Sequence, residues 1–393
     1  PLVHEVRWHW DDWDRLAAGT VAGHVLECGA QTTGGNLTDW RGVKGLAAAG
    51  YPIAEVSEDG TFFITKHPGT GGVVSRATVV EQLLYEIGDP AAYATPDVTV
   101  DFTSFSVEEE AGDRVRIAGV RGAPPPPTLK AGVTWSAGWK AVGTFLFGPP
   151  DGEEKAKALA AIVWERVGPG FEETATEILG GREVFLRLGV RDADRKKVDA
   201  FSRRFASFAL SGPPGVTIPG GGRPPVQEVF GFWPAAVPRS AVAPALHVGG
   251  ETIPISTEAP ATRALPDPPP AAREASAPAD GGRAVPLAAL AFARSGDKGD
   301  AANIGVAARD ARAFAILRER LTTDFVRHVF RAETRGRVVR YELPNLRAFN
   351  FVLERSLGGG GVISLRTDPQ GKTFAQRLLA EQVSGPEAEG REP

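Results

Sequence analysis

The sequence is poor in the side chains that build covalent or metal-bound frameworks. Its 393 residues include one cysteine, Cys28, and six histidines. One cysteine excludes an intrachain disulfide framework and a cysteine zinc cluster, and it favours a reducing, cytoplasmic setting. The histidines show no His-x-x-x-His or comparable zinc spacing, so no metal site is predicted.

A surplus of one charge and long apolar runs are also lacking. The chain carries 44 Lys and Arg against 48 Asp and Glu, a formal net charge of −4, so neither nucleic acid nor an anionic membrane is an expected partner. No apolar run reaches the roughly 18 residues of a spanning helix, and the polar start does not resemble a secretory signal. The sequence has no methionine, which leads us to expect that segments of the natural chain are absent from it.

A glycine-rich stretch from Gly23 to Trp40 concentrates polar side chains that a stable core would not need. Glycines let a backbone approach a ligand closely. Cys28 is a candidate nucleophile, His24 lies four residues earlier and can serve as its base, and Glu27 is a candidate acid or base. The structural alternative is a small buried cysteine that packs under the glycine loop.

The same stretch also supplies neutral hydrogen-bonding groups. Gln31, Thr32, Thr33 and Asn36 can donate to a carboxylate or to a thioester carbonyl. Local turn chemistry is the alternative role for these four residues.

A second glycine-rich loop follows a predicted hairpin and precedes a predicted helix. Lys66, Gly69, Thr70, Gly71 and Gly72 offer backbone N–H groups, a hydroxyl and a charge that can hold a phosphate or a carboxylate. Their order is neither that of a Walker loop nor that of a dinucleotide fingerprint. The alternative is a tight turn that closes the hairpin onto the helix.

A third polar loop lies near residue 300. Ser295, Asp297, Lys298, Asp300 and Asn303 can orient a polar substrate, and the carboxylates can ligate a hard cation. Because further clustered oxygen ligands are absent, the cation signal is weak and no metal is assigned. A charged turn that docks the region on its neighbour is the alternative.

Hydrophobic periodicity predicts an α/β chain of the α+β type, a mixed-sheet sandwich domain followed by a smaller α/β module. From residue 98 to 233 the order of strands and helices is compatible with a ferredoxin-like split βαβ arrangement plus a hairpin. The expected domains are 1–255, a Pro/Ala-rich linker at 256–284 and a module at 285–385. The principal predicted elements are helices at 11–22, 78–87, 153–167, 195–210, 311–330, 345–357 and 373–380, a hairpin of 53–57 with 61–65, and strands at 98–105, 129–135, 139–147, 285–293 and 362–367.

Several long motifs resemble those of the acyclic terpene utilisation family, the AtuA-like proteins. The motifs are HEVRWHWDDWDRLAAG from His4, the stretch from Gly23 to Trp40, the loop 66–72, and EQLLYEIGDP from Glu81. SGDKGDAANIG from Ser295 is similar to the ferredoxin-like module often attached to that family. Members usually carry an α/β region before the position at which this sequence begins, so an N-terminal part of the family region is expected to be missing.

The resemblance implies a role in the breakdown of acyclic terpenes and branched acids, whose intermediates travel as coenzyme A thioesters. We therefore expect an enzyme of the lyase, hydratase or hydrolase type that acts on an acyl thioester or a small carboxylate, with Glu27 as acid or base. The alternative is a non-catalytic accessory subunit whose C-terminal module recruits a partner enzyme. A homo-oligomer or a complex with an enzyme of the same pathway is expected.

Overall fold

The computed structural model describes residues 2–256 and 284–384. These residues form two compact units. The first contains residues 2–131, 235–256, 284–356 and 371–384, and the second contains residues 132–234 and 357–370. The linker predicted at 256–284 lies almost entirely outside the described residues.

The first 127 residues contain two short antiparallel sheets and three helices. The helices are α1 (Leu2–Glu5), α2 (Trp13–Leu26) and α3 (Arg76–Leu83). The strands are β1 (Pro52–Val56), β2 (Phe62–Lys66), β3 (Tyr93–Ala94), β4 (Thr99–Asp101), β5 (Ser106–Glu110), β6 (Arg114–Ala118) and β7 (Arg121–Ala123). One sheet has the order β1-β2-β6-β5 and the other has the order β3-β4-β7. The predicted hairpin is confirmed as β1 and β2, whereas only 99–101 of the strand predicted at 98–105 form a strand, β4.

Local sequence explains the two helices that reach the candidate site. Ser75 caps α3 because its side chain accepts a hydrogen bond from the Thr78 N–H while the Thr78 hydroxyl accepts from the Ser75 N–H. α2 runs through Gly19 and Gly23, where the sequence predicts a weakening, because a continuous stripe of small apolar residues is buried on one face. The cap thus fixes the start of α3, and the buried face holds α2 against the core.

The second unit contains a five-stranded sheet and two helices. Its elements are β8 (Thr128–Phe147), α4 (Gly152–Val167), β9 (Glu173–Gly180), β10 (Val184–Asp192), α5 (Arg195–Ala209), β11 (Val216–Thr217) and β12 (Gln227–Pro238). The sheet order is β11-β8-β10-β9, with β12 also paired to β8. This is the ferredoxin-like order that the sequence indicates for residues 98–233. The two strands predicted at 129–135 and 139–147 are one strand, and Gly138 within it has a φ of +90°.

The C-terminal module is built on a four-stranded sheet with helices. After a hairpin of β13 (Ala245–Val248) and β14 (Glu251–Pro254) come β15 (Ala284–Pro286), β16 (Ala291–Lys298), β17 (Ala301–Ala308), α6 (Ala311–Arg320), α7 (Thr323–Val329), β18 (Val338–Leu343), β19 (Ala348–Leu353), α8 (Phe374–Ala380) and β20 (Gln382–Ser384). Its sheet order, β16-β17-β19-β18, is the ferredoxin-like order for a chain that starts at a different strand. The predicted α+β class is confirmed.

Four predictions in the C-terminal region are wrong. The loop predicted at 294–300 is strand as far as Lys298, and its polar side chains lie on a paired hairpin. The helix predicted at 345–357 is replaced by β19, which fills the central position between β17 and β18. The single helix predicted at 311–330 is two helices, α6 and α7, and the Thr322 hydroxyl caps the second one. The segment 362–367, predicted as a strand, is described but contains no strand.

The module and the first 127 residues share one apolar core. Phe292, Ala307, Leu343, Leu346 and Ala348 are buried in the same cluster as the apolar faces of α2, α3 and the β1-β2-β6-β5 sheet. Side chains of β16 and β17 therefore meet the C-terminal ends of α2 and α3.

Candidate functional site

A buried arginine organises the centre of the candidate site. The Arg294 side chain on β16 is 5% exposed and pairs with Glu81 of α3, itself 1% exposed, at 3.0 Å. Its guanidinium also donates to the side-chain oxygens of Gln82 (3.2 Å) and Gln31 (2.9 Å). Burial raises the pKa of Glu81, and the positive charge of Arg294 opposes that shift. Arg294 is thus a positioning residue that joins β16, α3 and the loop after α2.

His24 is buried rather than presented to a ligand. Its ring lies against Tyr93 and Phe102 with centroid distances of 5.9 and 5.6 Å. Nε2 lies 3.1 Å from the Gln82 carbonyl oxygen, so it donates its proton there. Nδ1 then carries a lone pair, and among the described residues it has no hydrogen-bond partner.

Charge on His24 is disfavoured in the folded protein. Burial lowers the pKa of His24 from 6.5 to about 4, and the positive charge of Lys298 adds to this effect. No hydrogen bond joins His24 to Cys28 in the described part of the chain. The imidazole is therefore neutral near pH 7, and its geometry is that of a packed core histidine.

Glu27 and Cys28 line an open cavity of about 600 Å³ directly after α2. Glu27 is exposed and Cys28 is partly buried. Further lining residues are Gly29, Ala30, Gln31, Gly35, Asn36 and Tyr51. The cavity thus combines a carboxylate, a thiol and two amide side chains, and Tyr51 contributes an exposed aromatic ring.

Two lysines from the module carry charge near the candidate site, and the charge of Glu27 acts on the pKa of one of them, Lys298. Lys298 ends β16, and its pKa responds to the charges of Glu86, Glu27 and Asp297. Lys372 precedes α8, and its ammonium lies 2.6 Å from a Glu86 oxygen and 3.5 Å from an Asp297 oxygen. It also donates to the Tyr85 hydroxyl. Residues from α2, the end of α3 and the β16-β17 hairpin therefore form one charged cluster.

Thr32 and Thr33 are structural. Thr32 is buried, and its hydroxyl donates to the Val25 carbonyl at 2.6 Å. The Thr33 hydroxyl donates to the carbonyls of Ala30 and Gly50. These bonds fold the loop after α2 back onto the helix, so the hydroxyls are engaged within the protein. By contrast, Gln31 and Asn36 line the cavity.

The loop from Lys66 to Gly72 does not contribute to this cavity. Its donors are used within the protein: Lys66 Nζ binds the Thr70 carbonyl and Asp113, and the Thr70 hydroxyl donates to the His67 carbonyl at 2.7 Å. The N–H groups of Gly71 and Gly72 donate to the carbonyls of Ala48 and Lys44, respectively. Among the described backbone hydrogen bonds of this loop, none involves Gly69. This geometry is that of a tight turn that closes the hairpin onto the helix, the alternative role that the sequence allows for this loop.

Two residues of the predicted C-terminal loop are also structural. Ser295 accepts from the Ala375 N–H and donates to the Gly371 carbonyl, which anchors the start of α8. Asn303 is fully buried and joins the Glu86 N–H and the Leu84 carbonyl to Asn350. Asp297 belongs to the charged cluster, whereas the carbonyl of Asp300 accepts from the Ser356 N–H. Among the described residues, no group of three or more His, Cys, Asp and Glu could hold a metal ion.

Sequence reasoning missed five contributors to the site: Arg294, Glu81, Tyr85, Glu86 and Lys372. The motif EQLLYEIGDP contains three of them, and it was recognised only as part of a resemblance. A signal was present in that motif, because Glu81 and Gln82 interrupt the apolar side of a predicted helix. Charged residues at apolar positions are almost never fully buried unless they are paired.

Comparison with known families identifies two matching regions of the chain. Residues 1–248 match the model of the acyclic terpene utilisation family protein AtuA, and residues 285–384 match the AtuA ferredoxin-like domain. No curated protein and no solved structure matches the chain. The chain belongs to the AtuA family, which is implicated in acyclic terpene utilisation.

Proposed function

We propose that this chain is an enzyme that binds a small branched carboxylate or its coenzyme A thioester beside Glu27 and carries out acid–base chemistry of the lyase or hydratase type. The observation that carries the proposal is the position of Glu27, an exposed carboxylate that lines the cavity of about 600 Å³ and acts on the pKa of Lys298. A cavity carboxylate can move a proton, and an ammonium in its electrostatic surroundings can attract an anionic or polarised oxygen.

Each residue then has a definite role. The Lys298 ammonium attracts the substrate carboxylate or thioester oxygen. The Glu27 carboxylate removes the proton next to the carbonyl carbon, which is the first step shared by many eliminations and carbon–carbon cleavages. The amides of Gln31 and Asn36 line the same cavity and can donate to the substrate. Arg294 keeps Gln31 in place through the hydrogen bond of 2.9 Å.

Solvent-deuterium exchange tests this role of Glu27. Branched acyl-CoA thioesters and the corresponding free acids are incubated with the protein in D₂O, and incorporation beside the carbonyl group is followed by NMR. We expect exchange with the wild type and a loss of about a hundredfold in Glu27→Gln, the usual effect of removing a general base. Glu58→Gln, a change of an exposed carboxylate outside the cavity, is the matched control. Equal exchange in wild type and Glu27→Gln would overturn the proposal.

If the chain is an accessory subunit, we expect its contact surface in the second unit and not in the C-terminal module, where the sequence predicts it. Among its described residues, the C-terminal module exposes one large apolar side chain, Val362. In the second unit, Trp135, Phe230, Phe232 and Trp233 on β8 and β12 are each about half exposed or more. Exposed apolar clusters mark protein contacts. An oligomeric or accessory role would therefore use these strands rather than the module.

In the described residues, no helix has both the length and the apolar character needed to cross a bilayer. A cytoplasmic location, inferred from the single cysteine, forms part of the proposal.

A further inference from the structure

The second unit contains a cavity between the end of α4 and one face of α5. Its volume is about 450 Å³, which lies within the range of roughly 300–1,000 Å³ for small-molecule sites. We call it the α5 cavity, and it is lined by Val167, Pro169, Gly170, Phe171, Lys197, Ala200, Phe201 and Arg204. All of these residues belong to the second unit, and none of them lines the cavity beside Glu27.

Local sequence explains why this space stays open. α4 ends at Gly168, which has a φ of +77°, and the following Pro169 has no N–H group with which to continue the helix. Gly170, with a φ of +114°, then turns the chain. A Cβ at Gly168 or Gly170 would meet no atom within 4 Å. Two of the three residues in this turn therefore have no side chain, and the space beside α5 is left unfilled.

The floor of the α5 cavity is apolar and held in place by ring contacts. Phe201 is 1% exposed, and its ring stacks on Trp164 with a centroid distance of 6.3 Å. The ring of Phe171 meets Phe201 edge-on at 6.5 Å. Because these rings fix one another, the floor is preformed, and an apolar group that displaces water from it is bound favourably.

One face of α5 adds positive charge to this floor. The α5 residues that line the cavity recur at the spacing of a single helix face, at positions 197, 200, 201 and 204. The Lys197 ammonium donates to the Gly170 carbonyl at 2.9 Å and to Asp192 at 3.1 Å. These two bonds hold Lys197 against the turn after α4, and a third N–H of the ammonium is left for a ligand.

Arg204 supplies a charge that no carboxylate neutralises. Its side chain is exposed, and in the part of the chain that the structure describes no hydrogen bond or ion pair engages its guanidinium. None of the described residues that line the α5 cavity is an aspartate or a glutamate, and the Asp192 carboxylate already pairs with Lys197. An apolar floor beside an unpaired guanidinium is complementary to an anion that has an apolar tail.

We propose that the α5 cavity is a ligand site that binds a carboxylate with an apolar tail. The tail lies against Phe201 and Phe171, and the carboxylate accepts hydrogen bonds from Arg204. This inference goes beyond the proposed function, because it uses no residue near Glu27 and involves no bond that forms or breaks. It gives the second unit a binding role of its own.

Calorimetric titration of butanoate, hexanoate and octanoate into the full chain tests the match to both parts of the cavity. We expect octanoate to bind most tightly, with about a fourfold gain for each CH₂ group that the floor covers. 1-Octanol, which has the same tail without the charge, should bind at least about tenfold more weakly because the hydrogen bonds to an ionised partner are lost. No heat from octanoate at millimolar concentration, or equal binding of butanoate and octanoate, would overturn the inference.

Matched variants locate the ligand on α5. Ala200→Phe fills the cavity and should abolish octanoate binding, whereas Ala206→Phe, at an exposed position of α5 outside the cavity, should leave it unchanged. Arg204→Gln should weaken binding at least about tenfold and Arg203→Gln, with the same change of charge, less than about twofold. All three positions besides Arg204 are also exposed, so circular dichroism should show the wild-type fold in each variant. Equal weakening by the two arginine substitutions would indicate unspecific attraction and would refute the site.

One further variant separates the α5 cavity from the cavity beside Glu27. The octanoate binding that Ala200→Phe removes should persist in Lys298→Met. Loss of binding in Lys298→Met together with full binding in Ala200→Phe would place octanoate beside Glu27. That result would refute the α5 site and leave the proposed function standing.

Discussion

At the scale of single residues, folding changes the charge state of His24. The folded protein holds the imidazole neutral, with a pKa of about 4 against an ordinary value of 6.5. Between these values the unfolded chain binds a proton that the folded chain does not. The free energy of unfolding therefore decreases as the pH falls from about 6.5 to about 4. Above pH 6.5 both states are neutral at His24, and this loss of stability is absent.

His24→Gln tests this linkage. The glutamine amide can still donate to the Gln82 carbonyl but does not titrate. Between pH about 7 and about 4.5 we expect the wild type to lose about 2 kcal/mol more unfolding free energy than the variant. Urea denaturation at a series of pH values measures the difference, and His67→Gln, a change of an exposed histidine, is the control. Parallel pH profiles for wild type and His24→Gln would show that His24 is not the group responsible.

Residue identity predicted only part of the site. The sequence singles out Glu27 and Lys298 because polar residues among glycines indicate a ligand-facing loop, and their role stays a prediction. Their neighbours Arg294 and Glu81 were missed because they are 213 positions apart, and only folding brings them within 3.0 Å. The Thr70 loop was overestimated for the opposite reason, since a sequence does not show that its donors already have partners.

At the scale of elements, the β16-β17 hairpin places Lys298. Its turn contains Gly299, which has a φ of +67°. The sequence placed a loop here because two glycines and several charges lie close together. Strand pairing prevails because β16 is buried on both faces as far as Gly296 and pairs with β17 as far as Lys298.

Gly299→Ala tests the strain that this turn imposes on any other residue. A Cβ at Gly299 would meet no atom within 4 Å, so the expected cost is one of backbone conformation alone. We expect a loss of about 1 kcal/mol in the free energy of unfolding. Gly42→Ala, where a Cβ also meets nothing and φ is not positive, should change stability by less than about 0.5 kcal/mol. Equal effects of the two substitutions would exclude a conformational role for Gly299.

At the scale of the whole molecule, the C-terminal module shares its core with residues 2–131. Phe292 and Leu346 are buried in the cluster that contains Phe62 and Leu84. Asn345 donates to the carbonyls of Phe102 and Phe105, and Arg309 pairs with Asp39 at 2.6 Å. The Pro/Ala-rich segment predicts a boundary between two domains. The apolar contacts between residues before and after that segment depend on the fold, and no local sequence pattern predicts them.

Cleavage between residues 257 and 283 tests this shared core. A specific protease site is inserted there, and the cut protein is analysed by size-exclusion chromatography. We expect the two fragments to elute together, because separation would expose the shared apolar cluster to water. Addition of denaturant should separate them and serves as the control. Separation under native conditions would favour a module that is free to recruit a partner.

The central claim is that the cavity beside Glu27, together with Lys298, binds a small carboxylate or acyl thioester. Calorimetric titration of branched acids and their coenzyme A thioesters into wild type, Lys298→Met and Thr70→Ala tests it most directly. We predict that wild type and Thr70→Ala bind alike, and that Lys298→Met binds at least about tenfold more weakly, a loss of about 1.4 kcal/mol. Unchanged binding in Lys298→Met, or a loss confined to Thr70→Ala, would contradict the claim.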